Sequence, residues 1–174
     1  MDNFSKIVKD HEKVVYNLCF RLCGNRDDAF DLSQESFLKV WRSLPDFRGD
    51  SELSTWIYRL TSNTCIDFLR KKTRQKELLA FDDDILVISD DTYQPALIAE
   101  RRELSQSLQK AMEELPLHHR EVLTLREVAE LSYKEIGEIL SIEEGTVKSR
   151  IARARLSLRK ILIDQGNISK GSFV

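Results

Sequence analysis

Apolar residues recur at helical spacing from the start of the chain. Phe4, Ile7, Val8, Val14, Val15, Leu18 and Leu22 predict one amphipathic helix, broken at Gly24-Asn25. Asp27 and Asp28 then open a second helix with apolar positions at Phe30, Phe37, Leu38, Trp41 and Leu44, stopped by Pro45. Pro45 to Asp50 reads as a loop. Ser51 begins a long helix carrying Leu53, Trp56, Ile57, Leu60, Thr64, Phe68 and Leu69, which runs into a basic cluster near Arg74. Five aspartates between Phe81 and Gln94, followed by Pro95, predict a linker, because the apolar run Ile85 to Ile88 is too short for a sheet.

Beyond it, Leu97, Arg101, Leu104, Leu108, Ala111, Met112 and Leu115 give a helix ended by Pro116, and Leu117 to Ala129 give another. Ser132 and Glu135 form a capping box before Ile136, Ile139 and Leu140, and Ser141-Ile142-Glu143-Glu144 repeats that signature before the last helix. Nowhere does a period-two alternation run long enough for a strand. The expected fold is all-α, two small helical domains joined by an acidic linker, the second a helix-turn-helix. The expected boundaries are 1–76, a linker at 77–95, 96–163, and a short tail at 164–174.

Composition adds bounds. The 174 residues carry 27 basic and 29 acidic side chains, a net charge of -2, with 41% hydrophobic residues. That balance suits a chain that buries a core. No apolar run approaches the roughly 20 residues that cross a bilayer, and Met1-Asp2-Asn3-Phe4 lacks the layout of a signal peptide. A cytoplasmic protein with no membrane insertion is expected. The odd count of three cysteines makes no disulfide framework. Cys19 and Cys23 share a helical face, with Cys65 distant in sequence; they read as small core side chains or as a redox or metal pair. His118-His119 match no zinc spacing, so no metal and no cofactor are expected. The chain also lacks a nucleophile-base pair and a phosphate loop, so it is not expected to be an enzyme.

The charge is organised in blocks. Ile66 to Lys76 carries +4, Glu77 to Glu103 carries -6, and Gly145 to Lys160 carries +6 with no acid. Two basic patches flanking an acidic middle fit a near-neutral protein with two polyanion-binding ends, or helix ends whose cations complement the dipole. The last helix favours the first reading. With Val147 at zero, Ile151, Ala154 and Leu158 fall within about 40° of it and face inward. Lys148, Ala152, Arg155 and Arg159 lie on the adjoining side, extended by Ser149, Arg153 and Lys160. Small residues at the front amid long cations let a helix approach a major groove while gripping phosphates.

The string Leu131 to Leu140, followed by Gly145-Thr146-Val147-Lys148-Ser149-Arg150-Ile151-Ala152-Arg153-Ala154-Arg155, resembles the C-terminal domain of sigma factors of the extracytoplasmic-function group. The resemblance implies that Lys148, Ser149 and Ala152 face the bases of a duplex −35 element, and that Arg150, Arg153 and Arg155 contact phosphates. Parts of the same string also resemble the output domain of response regulators. The first half separates the two, since it reads as three helices and not as the strand-helix repeats of a receiver.

Asp27 to Trp41 resembles the helix with which sigma factors grip the clamp helices of RNA polymerase. The resemblance transfers Asp31, Gln34, Glu35 and Leu38 as polymerase contacts, and their i, i+3, i+4, i+7 spacing puts them on one face. Phe30 stands where the family more often carries an acid. Asp46-Phe47-Arg48-Gly49-Asp50-Ser51 and the helix after it are similar to the family's −10 region, in which a loop captures an unstacked base. That implies Phe47, Arg48 and Asp50 in the loop, and Lys71, Lys72 and Arg74 on backbone phosphates. Arg59, Asn63 and Asp67 share a stripe that reads either as part of this surface or as a buried polar network, and Trp56 reads as core.

The resemblance spans about Lys6 to Leu162. It implies core RNA polymerase and promoter DNA as partners, together with an anti-sigma factor. The linker, by the same resemblance, threads near the polymerase active site. A self-sufficient DNA-binding regulator is the alternative; it would bind its site without polymerase and would have no use for Asp31, Gln34 or Glu35.

Overall fold

The computed structural model describes residues 2–79 and 96–166. Most of the expected linker (80–95) and of the expected tail (167–174) lie outside the described residues. Among the described residues there are seven α-helices, one 3-10 turn and no strand. The helices are α1 (Asp2–Cys23), α2 (Arg26–Ser43), α3 (Leu53–Leu79), α4 (Ala96–Glu114), α5 (Leu117–Glu127), α6 (Tyr133–Leu140) and α7 (Glu144–Asp164).

The break between α1 and α2 follows from two residues. Gly24 takes φ +78, which ends α1 at little steric cost. The Asn25 side chain then accepts the backbone N–H groups of Asp27 and Asp28 at 2.8 and 2.9 Å. Asn25 is therefore the N-cap, and the two aspartates sit inside the first turn, where their charge favours the helix dipole. Pro45 lies in the 3-10 turn Leu44–Asp46. The next helix starts at Leu53, two residues later than Ser51, and continues through Leu79. The expected linker start at 77 is thus helical, because Glu77-Leu78-Leu79 are all good helix formers.

The helix-turn-helix forms as expected, with one correction. Ser132 accepts from the Glu135 N–H, and the Glu135 carboxylate accepts from the Ser132 N–H at 2.8 Å, a complete capping box. The second expected box is not made. Ser141 takes the left-handed conformation, φ +54, and closes α6, so the N-cap of α7 is Glu143 without a side-chain bond. The turn is too short for Ser141 to end one helix and cap the next. Gly137 is required by close packing: a Cβ there would lie 2.7 Å from the Ile142 carbonyl oxygen, whose residue donates back to Gly137 at 3.0 Å.

Two groups of core side chains result. Val15, Leu18, Leu22, Val40 and Ile57 are buried among α1, α2 and α3, and Val122, Leu125, Ile136, Val147 and Ile151 among α5, α6 and α7. Each contributes about 1.5–3 kcal/mol of burial free energy. These groups, with Met112 of α4 and Leu115 just after it, belong to one continuous apolar cluster, and α1 packs on both α4 and α5. The cysteines are free, with Cys19 and Cys65 buried and Cys23 half-buried. Hydrogen bonds with Cys19 and then Cys23, together with burial, push the Cys65 thiol far above its ordinary pKa. It behaves as a neutral core side chain.

Candidate polymerase and promoter interfaces

The geometry of α2 separates its two faces cleanly. Ala29, Leu32, Ser33, Ser36 and Val40 are buried, and the Ser36 hydroxyl is spent on the Leu32 carbonyl at 2.7 Å. Asp31, Gln34 and Glu35 are exposed on the opposite side, with Leu38 53% exposed among them. Glu35 pairs with Lys39 at 2.9 Å, and Lys39 also donates to Thr64 of α3 at 3.0 Å. Phe30 and Trp41 are 56% and 58% exposed on this same side. The departure at Phe30 therefore changes the outer surface and adds nothing to the core. The acidic strip, in which only Glu35 is paired among the described residues, is edged by two bare aromatic rings and a leucine, and large exposed apolar groups of this kind mark docking faces.

Before α3, Phe47 packs on Trp56 with ring centroids 4.9 Å apart, and both are half-buried. Arg48 and Asp50 flank Gly49 and are exposed; Gly49 has φ +76. Arg59, Asn63 and Asp67 are all exposed, so their stripe faces outward and is not a buried network. Lys71 and Arg74 are exposed on the final turns of α3. Lys72 is engaged: its ammonium lies 2.8 Å from Asp28 and 5.4 Å from the centre of the Phe68 ring. The loop, the stripe and the basic end thus form one ridge along α3.

On α7, Val147, Ile151 and Ala154 are buried, as the helical wheel requires, and Leu158 is half-buried. Lys148, Ser149, Ala152, Arg153 and Arg155 are exposed. The Ser149 hydroxyl donates to the Thr146 carbonyl at 3.0 Å, which fixes its orientation at the front of the helix. Arg155 donates to Glu127 at 2.7 Å, a bond that keeps its guanidinium firmly protonated. Arg150 is half-buried and turned into a cleft facing α3. Leu156, 66% exposed amid these cations, is a surface residue that the sequence pattern had not singled out.

Sequence reasoning also missed the residues that join the two halves. Arg120, Gln109 and Thr55 each bond to a group 80 or more residues away in the chain. No local pattern carries such a pairing; their only signal is polarity at positions that helical periodicity would place near a core.

Comparison with known proteins fits this geometry. Residues 7–75 match the family model described as Sigma-70 region 2, and residues 105–158 match that described as Sigma-70, region 4. The chain is 38% identical over 169 residues to the ECF RNA polymerase sigma factor SigW of Bacillus subtilis, covering 94% of this chain and 90% of that one. It is 37% identical over 163 residues to the ECF RNA polymerase sigma factor SigE of Mycolicibacterium smegmatis, covering 93% of this chain and 62% of the longer relative. Its fold is similar to that of the sigma factor RpoE from Bartonella quintana, solved in complex with the anti-sigma factor NepR, with a TM-score of 0.75, 24% identity, and 94% and 98% of the two chains covered. The two helical units are those of a promoter-recognition subunit. The chain belongs to the extracytoplasmic-function sigma factors of the sigma-70 family and directs promoter-specific initiation by RNA polymerase.

Proposed function

We propose the following division of labour. Residues 1–76 form the unit that docks on core polymerase and opens the −10 element, and residues 96–163 form the unit that reads the −35 duplex, with 77–95 as the connecting segment and 164–174 as a tail. Asp31, Gln34, Glu35 and Leu38 carry the polymerase contact, and the exposed Phe30 and Trp41 extend it. Phe47, Arg48 and Asp50 hold an unstacked base, with Arg59 and Asn63 beside it and Lys71, Lys72 and Arg74 on the strand backbone. Lys148, Ser149 and Ala152 meet base edges, while Arg150, Arg153 and Arg155 hold phosphates.

The observation that carries this reading is the face of α2, where two acids and an amide stand with exposed apolar side chains at one helical spacing, the rings of Phe30 and Trp41 more than half exposed among the described residues. Such a face has no use in a protein that only binds DNA, since its charge repels phosphate. The protein performs no catalysis of its own, because chemistry belongs to the polymerase it positions, and it works in the cytoplasm with that enzyme. An anti-sigma factor is a further partner on this reading. A relative of this fold was solved with one, and the bare surfaces offer the contacts it would need.

The test is competition for core polymerase. The Gln34→Ala/Glu35→Ala variant should lose the ability to displace a labelled sigma factor from core while its isolated thermal transition stays unchanged. Displacement equal to that of the unaltered chain would remove the α2 assignment.

A further inference from the structure

Three thiols meet inside the first helical unit, apart from the surfaces assigned to polymerase and DNA. Cys19 and Cys23 stand one turn apart on α1, and Cys65 lies in the middle of α3. All three are free. The register of the two helices brings them together. His11 Nδ1 of α1 lies 3.2 Å from the Tyr58 hydroxyl of α3, with the two rings edge to face. From that contact, Cys19 is about 12 Å further along α1 and Cys65 about 10 Å further along α3. The thiols of Cys19 and Cys23 both reach that of Cys65 within hydrogen-bonding contact. The two helices therefore run in the same direction, with Cys65 as the shared neighbour of the α1 pair.

The three differ in access. Cys19 and Cys65 are buried, whereas Cys23 is half-buried in the last turn of α1, just before the break at Gly24. A dissolved oxidant therefore meets Cys23 first. The Arg120 guanidinium lies within electrostatic reach of Cys23, so the attacking sulfur faces a cation. Among the described residues no group of three His, Cys, Asp or Glu side chains is arranged to hold a metal ion, which leaves thiol chemistry.

Geometry also selects the partner. Residues four apart on an intact helix hold their Cβ atoms about 5–6 Å from each other, and a disulfide needs about 3.5–4.5 Å. Cys19 and Cys23 are therefore poor partners for one another. Cys65 sits on a different helix and touches both, so a bond to it requires no unwinding of α1.

We infer that Cys23 and Cys65 are a peroxide-responsive pair, Cys23 reacting first and Cys65 resolving it into a disulfide that staples α1 to α3. In the first step the Cys23 thiolate attacks one oxygen of a hydrogen peroxide molecule and the O–O bond breaks. The hydroxide that leaves takes up a proton to become water, and Cys23 is left as a sulfenic acid. In the second step the Cys65 sulfur attacks the Cys23 sulfur and the S–O bond breaks; the departing hydroxide carries off the Cys65 proton as a second water. Two thiols lose two electrons, and one peroxide is reduced to two waters. A small-molecule dithiol reverses the bond and is itself oxidised to a disulfide. Burial shields Cys65 from direct oxidation and reserves it for the second step. A solitary half-buried thiol would proceed to sulfinic acid, which is irreversible for most proteins; the pair makes the response of this unit reversible.

The full-length chain, reduced and then exposed to hydrogen peroxide, is alkylated, digested without reductant and mapped by mass spectrometry. The expected product is a Cys23–Cys65 peptide pair within one chain, lighter by two hydrogens and released by dithiothreitol. Because the bond closes a loop of roughly forty residues, the urea midpoint of the oxidised chain should rise and should return on reduction. Cys23→Ser should slow the loss of thiols to peroxide at least tenfold, and Cys65→Ala should leave Cys23 as sulfinic acid, once circular dichroism has confirmed that each variant folds. A Cys19–Cys65 bond that is absent from Cys23→Ser supports the pair, since it then arises by exchange after Cys23 has reacted. The same bond persisting in Cys23→Ser overturns it. So do three unreacted thiols, sulfinic acid on Cys23 with no bond, or bonds formed only between chains. These last three outcomes are read from the unaltered chain and decide even where a variant does not fold. No readout uses polymerase or DNA, so the promoter assignment stands or falls separately.

Discussion

The Lys72 ammonium sits 2.8 Å from the Asp28 carboxylate, 44 residues earlier, and ties the basic end of α3 to the first turn of α2. The surface proposed for the −10 element is thereby joined to the helix proposed to meet polymerase. Asp28→Asn should release Lys72 to the strand backbone and tighten binding of a single-stranded −10 oligonucleotide to the holoenzyme. Because both side chains are still partly exposed to solvent, removal of the pair should cost about 1 kcal/mol of stability or less. Titration of the labelled oligonucleotide and a urea denaturation curve check both parts. Weaker binding in Asp28→Asn would show that the pair positions Lys72 and does not restrain it.

Trp41, 58% exposed, adds nothing to the core of the first unit. Trp41→Ala should leave the thermal transition within about 1 °C while weakening core polymerase binding by about 2 kcal/mol or more, as buried aromatic anchors do at interfaces. Phe30→Ala should act in the same direction with a smaller loss. Surface plasmon resonance with immobilised core enzyme gives the comparison, and equal affinity for all three chains would restrict the contact to the acidic strip.

Lys148 and Arg153 should fail differently. Lys148→Ala should cost about 1–3 kcal/mol on the preferred −35 sequence and relax discrimination at the base pair it meets. Arg153→Ala should weaken all sequences alike and reduce the salt dependence of binding by about one ion. Affinities measured over a set of single base-pair changes at several salt concentrations distinguish the two. Matching profiles for both variants would cancel the division between base-facing and phosphate-facing residues.

Glu135 gives a pH signature. Hydrogen bonds from Ser132 and then Thr55 hold its carboxyl below the usual carboxylate range. A carboxyl whose pKa falls on folding stabilises the fold above its unfolded value, and that contribution is lost as pH drops through the lowered folded value. The stability gap between the unaltered chain and Glu135→Gln should therefore be present at pH 7 and shrink below about pH 4. Ser132→Ala should cost about 0.5–2 kcal/mol at neutral pH. Denaturant titrations at the two pH values decide it; a gap that widens on acidification would reverse the assignment.

Much of this was legible in the sequence because it is local. Helical periodicity located the helices, the Ser132–Glu135 box is a four-residue signal, and the inward set Val147, Ile151 and Ala154 followed from a wheel. The same spacing placed Asp31, Gln34, Glu35 and Leu38 on one bare face. One departure is local too: Ser141 has the sequence signature of a cap, but the close approach of Gly137 to Ile142 commits it to ending α6. What no pattern carried was distance. Arg120 reaches the Leu22 carbonyl across 98 residues, and a backbone acceptor has no side-chain signature. The half-burial of Arg150 follows from that packing, so its helix alone would place it among the free cations.

The central claim is tested most directly by run-off transcription from a promoter library using purified bacterial core polymerase, with and without this protein. Transcripts that appear only with the protein, and whose templates share a −10 and a −35 element at fixed spacing, are the expected result. Specific duplex binding by the protein alone, with no new transcript, would contradict it and leave a DNA-binding regulator.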